Sequence, residues 1–186
     1  KVNPNDSARN LKQQAGYAAE VKKVAKDNAD AIINGDSNRT VRTDDIGRVN
    51  DPLYDHVKLD GNGNIIDGSG TQMKFVGNTP EESFDKLTQK KYDKYRDNNT
   101  PIEVPSDYYQ KMMARADERI SEAEKQLDKL EKSGKVEEAA KKREQIENLK
   151  KTKANLRKGS VSSKEAKFAR EHPELSTAMD VTKVSF

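Results

Sequence analysis

Apolar residues return along this chain at three different spacings. Over residues 5–34, Leu11, Ala15, Ala18, Val21, Ala25, Ala29 and Ile32 recur every three or four positions, which predicts one face of a long helix. Asp6 or Ser7 is suited to cap its start. Asn34-Gly35 is suited to close it, because glycine takes the left-handed conformation at a helix end. The pattern then shortens. A strand is expected over 37–41, followed by a polar loop holding Asp44, Asp45 and Gly47, and strand-like runs follow at 53–60 and 70–76. The "DGNGN" at 60–64 lies between those runs and reads as a hairpin turn, since Asp-Gly and Asn-Gly supply positive φ; Ile65-Ile66 extends the hairpin before "DGSG" turns the chain again. "DGNGN" has some likeness to a calcium loop but lacks its terminal Glu.

A second helix is predicted from Thr79 or Glu81 to about Tyr95, with Phe84, Leu87 and Lys91 on one face, and "TPIEVP" at 100–105 predicts a proline-fenced edge strand. From Ser106 the spacing narrows to a single stripe of Tyr109, Met112 or Met113, Ala116, Ile120, Ala123, Leu127 and Leu130. Ser133-Gly134 breaks it, and Val136, Ala139, Ile146, Leu149 and Leu156 form a second stripe. Two such helices joined by so short a turn fold back as an antiparallel hairpin. A short helix is expected from Ser162 or Ser163 through Glu171, ended near Pro173; the last residues carry no clear pattern, and the chain has no internal repeat.

Composition narrows the functions. The 186 residues are 32% hydrophobic and 36% charged, which predicts a small core beside an extended, water-exposed part. No apolar run is long enough to cross a bilayer, and no signal-peptide pattern opens the chain. The first residue is Lys1 rather than Met and Phe186 ends abruptly, so a piece of a larger protein is expected. The absence of cysteine excludes disulfides and thiolate metal sites, and two histidines, His56 and His172, make a zinc enzyme a poor fit. Net charge is only +3, so any basic surface must be local. Residues 134–158 carry nine Lys or Arg against four Glu, either a solvated helix face or an electrostatic footprint for nucleic acid.

The run "GTQMKFVG" at 70–77 holds the candidate chemistry. Alternation along a strand projects Gln72 and Lys74 together while Met73 and Phe75 pack behind. Asp55 on the preceding strand shares its face with Val57 and Leu59, which places His56 on the opposite face as a structural hydrogen-bonding residue. An acid opposite Gln-x-Lys fits a magnesium site: Mg²⁺ takes carboxylate and other oxygen ligands, water and substrate phosphate, and acidifies a bound water. Asp55 and the Gln72 oxygen are the candidate ligands, and Lys74 stands beside the attacking water. Glu20, mid-helix in "QAGYAAEVKKVAKDN", reaches the metal directly or through water, because Ala15, Gly16, Ala18 and Ala19 let the helix lie close to the sheet. Asp44 and Asp45 are read as turn-capping residues, and Ser69 and Thr71 as groups at the site's edge. Arg39 and Arg42 have the chemistry to grip phosphate but are not assigned to the site.

The order helix, three strands, helix, strand, with Glu20, Asp55 and Gln72-x-Lys74 in sequence, resembles the PD-(D/E)XK nuclease superfamily. "QAGYAAEV", "RTDDIG", "DPLYDH" and "SGTQMKFVG" look like the nuclease domains of bacterial polymorphic toxins, including contact-dependent inhibition effectors. The likeness covers roughly residues 8–105. It implies an α/β fold with an αβββαβ core over 1–105 and does not extend to the antiparallel helical hairpin at 106–158 or the short helical tail at 159–186, which the spacing predicts as appendages. It also implies Mg²⁺ or Mn²⁺ held by Asp55, Gln72 and Glu20, hydrolysis of DNA or RNA to 5′-phosphate ends, and action in a bacterial cytoplasm, with delivery from a neighbouring cell and a cognate immunity protein as partner. Two other readings stand beside it. One is a non-enzymatic module that binds a partner through the hairpin, and the other is a metal-less relative that binds nucleic acid passively.

Overall fold

A computed structural model describes residues 4–185, with side chains from Gln13 onward. The protein is mixed α/β. Helix α1 (Pro4–Ile33) begins upstream of the predicted caps Asp6 and Ser7, whose side chains, like that of Leu11, lie outside the described residues. Strand β1 (Arg39–Arg42) and a 3-10 turn (Thr43–Ile46) follow, then β2 (His56–Leu59) and β3 (Gln72–Met73). Next come α2 (Pro80–Leu87), a 3-10 turn (Lys90–Tyr92), α3 (Asp93–Asp97), β4 (Ile102–Val104), α4 (Tyr109–Lys132) and α5 (Val136–Asn155). The described chain ends in β5 (Leu156–Lys158), α6 (Ser163–Glu171) and α7 (Pro173–Ser185).

β1 and β2 pair antiparallel, while β3, β4 and β5 pair parallel in that order. A bridge between His56 and Thr71 joins the two sheets, so the strands run β1-β2-β3-β4-β5 across the molecule. The strands are shorter than the apolar runs predicted, because turns consume their ends. Asp60 accepts hydrogen bonds from the N–H groups of Asn62 and Asn64, which makes "DGNGN" the predicted turn.

Alternation on β4 explains the layering. Ile102 and Val104 face a core shared with Phe84, Leu87, Tyr95, Met112, Ala116, Ile146, Leu149 and Leu156. Glu103, between them, faces α1, where Lys23 Nζ reaches it at 3.0 Å. Full burial of side chains such as Phe84 and Leu149 contributes about 1.5–3 kcal/mol each. The base of the α4–α5 hairpin therefore belongs to the core, and only its outer half projects. β5 was not expected; the second stripe ends at Asn155 and Leu156 enters the sheet beside β4. Gly159 permits this, since a Cβ there would lie 2.6 Å from the Val104 carbonyl oxygen.

The helix expected from 79 to about 95 is broken in two. Thr79 caps α2 by accepting from Glu82 N–H at 3.1 Å, with Pro80 at the first helical position. Its far end is held by the buried Arg96, whose guanidinium donates to the carbonyls of Leu87 and Gln89 and to the Asp93 carboxylate. A side-chain donor takes the carbonyls that would otherwise continue the helix, and Gln89 is extended.

α1 is covered on its other side by α6 and α7. Ser162 and Glu165 form a capping box at the start of α6, and Lys26 pairs with Glu165 at 2.8 Å. α7 meets α1 through a buried ion pair, Lys22–Asp180 at 2.7 Å, so the helix turns polar residues inward and leaves Leu175 and Met179 more than half exposed.

Candidate functional site

Asp55 sits at a bulge. The N–H groups of Asp55 and His56 both donate to the Thr71 carbonyl, at 2.8 and 3.1 Å, while Thr71 N–H returns to the His56 carbonyl at 2.9 Å. Two residues stand against one, the arrangement by which a strand re-aims a side chain. Strict alternation therefore fails here, and His56 does not simply turn its back on Asp55. Its Nε2 lies 3.0 Å from the Glu20 carbonyl oxygen and donates to it, which fixes the tautomer and leaves Nδ1 buried without a partner. Burial pushes the imidazole pKa down to about 4, so the ring is neutral. Its role is structural, as expected, through anchorage of α1 at the residue that carries the candidate carboxylate.

Asp55 Oδ2 accepts from the Met73 N–H at 3.1 Å. Burial raises the Asp55 pKa, against the lowering effects of the Met73 N–H, the Lys74 charge and a hydrogen bond from the Gln72 side chain. Gln72 is buried, and its Oε1 has no hydrogen-bond partner. Burial also raises the Glu20 pKa, to about 7, with the Asp55 charge as the next cause. Lys74 is depressed, first by burial, while the Asp55 and Glu20 charges act to restore it. The Asp55 charge acts on Glu20 of helix α1, and Lys74 and Gln72 of the β3 region act on Asp55. Gly70 packs the sheet edge nearby, since a Cβ there would stand 2.6 Å from the Tyr54 ring.

Arg42, named for its phosphate-gripping chemistry but not assigned to the site from sequence, lies against the candidate residue Glu20. Its Nε and Nη2 both lie 3.1 Å from Glu20 Oε2, and Asp44 and Asp45 hold the same guanidinium at 3.3 Å. The Tyr17 ring lies 4.7 Å from the Arg42 carbon. Asp44 and Asp45 thus position Arg42. The signal available in the sequence was the shared face of Thr40 and Arg42 on β1, which turns Arg42 inward with a buried threonine. Arg39, by contrast, bonds to the carbonyls of Asp36 and Asn38 and stays local. Ser69 bonds to Lys58 N–H and the Ile66 carbonyl as part of a turn, while Thr71 Oγ1 is buried and unpartnered.

Tyr92 and Tyr95 flank Lys74, whose Nζ lies 5.8 and 5.5 Å from their ring centroids. Burial and the Asp55 charge raise the Tyr95 pKa to about 12, so its hydroxyl stays protonated. A separate cleft of about 520 Å³ opens between α1, α6 and α7 and is lined by none of Glu20, Asp55, Gln72 or Lys74.

Among the described residues, no three histidine, cysteine, Asp or Glu side chains converge as a metal-holding group. The donor set at Asp55 is instead two carboxylates and an amide. Its fit to a hard cation rests on the oxygen chemistry of these donors and on the orphaned Gln72 oxygen. No protein-family model, curated protein or solved structure matches the chain.

Proposed function

We propose that this chain is a divalent-metal-dependent nuclease that hydrolyses phosphodiester bonds of DNA or RNA, on an αβββαβ core like that of the PD-(D/E)XK superfamily. The observation that carries the reading is the bulge at Asp55, where its carboxylate accepts from the Met73 N–H between Gln72, whose buried Oε1 has no partner, and Lys74. Asp55 Oδ, Gln72 Oε1 and Glu20 would hold Mg²⁺ or Mn²⁺. Bound there, such an ion supplies Lewis acidity toward the phosphodiester and lowers the pKa of a water. The protein's own groups do the rest. Lys74, held between the Tyr92 and Tyr95 rings and the Asp55 charge, orients the attacking water and balances charge that develops on the phosphate. The Met73 N–H keeps Asp55 aimed, and His56 holds the Glu20 turn of α1 against the sheet.

A bacterial toxin or defence effector, with a cognate immunity protein, is the biological setting this reading favours. Arg42 on Glu20 supports a second reading, a relative that binds nucleic acid without metal. Incubating the protein with plasmid DNA and total RNA, with Mg²⁺ or Mn²⁺ and with EDTA, separates the two. The nuclease reading expects cleavage that EDTA stops and that Lys74→Ala and Asp55→Ala abolish while both variants stay folded. Equal cleavage by the variants and the parent would falsify it, and binding without cleavage or metal uptake would favour the second reading.

A further inference from the structure

The segment after α2 reads "KKYDKYRD" at 90–97, and its two tyrosines stack with centroids 6.2 Å apart and planes 26° from parallel. Each ring carries a lysine of its own segment. Lys91 Nζ lies 5.1 Å from the Tyr92 centroid and Lys94 Nζ lies 5.0 Å from that of Tyr95, while Lys74 shares both rings. An aromatic face attracts a cation, so the stack gathers three ammonium groups at one place. They are not neutralised there. Asp93 is committed to Arg96 at 2.6 Å, and among the described residues no carboxylate forms an ion pair with Lys74, Lys90, Lys91 or Lys94. Lys90, Lys91 and Lys94 are exposed. The charges of Lys94 and Lys91 both help to depress Lys74, which puts them within electrostatic reach of the candidate reaction site. On the hairpin, Lys132, Arg143, Lys150, Lys151 and Lys153 each have an acidic partner within 3.3 Å.

We propose that Lys91 and Lys94, seated on the Tyr92–Tyr95 stack beside Lys74, grip the phosphates that flank the scissile bond of a polynucleotide and do so without reading its bases. The assignment rests on the nuclease reading and names the substrate contact of that same site. Because lysines occupy the ring faces, the ledge offers point charges to a backbone rather than a stacking platform to bases. Binding there is sequence-independent and releases counterions.

The test measures binding in EDTA, where metal-dependent cleavage is absent. Labelled 20-nucleotide single strands and duplexes of two unrelated sequences are titrated with the whole chain over a KCl series. The variants are Lys91→Gln/Lys94→Gln, the charge-preserving Lys91→Arg/Lys94→Arg, and Lys150→Gln/Lys151→Gln on the hairpin. Loss of two phosphate contacts should flatten the slope of log K against log salt by about 1.4–1.8 and weaken low-salt binding at least ~10-fold, equally for both sequences. The arginine pair should bind like the parent, and the hairpin variant should change little. An unchanged slope in the Lys91/Lys94 glutamine variant, a sequence-dependent loss, or no polynucleotide binding by the parent at any salt overturns the proposal. If the ledge behaves as stated but the parent never cuts with Mg²⁺ or Mn²⁺, the nuclease reading falls, and with it the scissile bond, while the ledge stands as a backbone-binding surface.

Discussion

Along the α4–α5 hairpin, Arg143 meets Glu131, Lys150 meets Glu124 and Lys153 meets Asp117, all across the seam between the helices. The three acids are seven residues apart, so they line one flank of α4. At the Asp55 bulge, carboxylates are half-buried, one of them against a guanidinium, an amide oxygen has no partner, and a lysine is pressed below its ordinary pKa. One region balances its charges locally and in water, where each pair is worth little. The other keeps its charges in low dielectric, where every mismatch is felt. Of the basic residues of the second arm, which in sequence were either a solvated face or a nucleic-acid footprint, Arg143, Lys150, Lys151 and Lys153 have acidic partners. Perturbed charge is concentrated at the bulge instead, which is where function is expected.

The sharpest way to break this contrast is at the bulge. Lys74→Ala or Asp55→Ala should lower divalent-dependent cleavage by about 10²–10³ or more, the scale of losing a preorganised electrostatic group. Arg143→Ala/Lys150→Ala should leave cleavage unchanged. Rates on plasmid DNA and total RNA, with circular dichroism as a fold check, decide it, and a hairpin variant as damaging as the bulge variants would erase the distinction.

Stability should divide the hairpin itself. Phe84→Ala and Leu149→Ala, at fully buried positions where β4, α2 and the hairpin base meet, should cost about 3–5 and 2–5 kcal/mol in urea unfolding. Leu127→Ala, farther out on a half-buried seam, should cost less than either. Equal losses at all three would mean that the outer half is as much core as the base.

A smaller effect follows from pH. Glu20 has a folded pKa of about 7 against an ordinary 4.5, so the folded state holds its proton more tightly than the unfolded one. Stability from this group is complete below about 4.5 and is lost as pH rises through 7. The melting temperature of Glu20→Gln should therefore gain on the parent as pH rises and level off above about 7. Mn²⁺, which favours the ionised carboxylate, should narrow that gap. His56 acts in the opposite direction: its pKa is held near 4, so its contribution is lost as pH falls from 6.5 through 4. A pH-independent gap between Glu20→Gln and the parent would show that the carboxylate is not perturbed. The least effect is expected from Arg143→Ala alone, within about 0.5 kcal/mol, because the Arg143–Glu131 pair is half exposed.

The helices were legible because their evidence is local. The three- and four-residue spacing, the Thr79 and Ser162 caps and the Ser133-Gly134 break all act within a few residues of themselves, and the hairpin follows from two such stripes and a short turn. Turn chemistry likewise marked the strands near Asp55 and Gln72. Other features depend on residues far apart in sequence. Ile32, counted in the α1 stripe, is half exposed, while Lys22 and Lys23 are buried because Asp180, Glu103 and Asp27 neutralise them. The split between α2 and α3 needed Arg96 to fold back on α2.

By itself the sequence determined the strand that carries Gln72, the helix that carries Glu20 and the loop that precedes Asp55. Tertiary structure decided the bulge that re-aims Asp55, the capture of Glu20 by Arg42, the entry of Leu156 into the sheet and the meeting of Lys74 with Tyr92 and Tyr95. The physical reason is range. Backbone propensity and periodicity are properties of neighbours along the chain, whereas burial, charge coupling and strand register exist only once distant segments share one space.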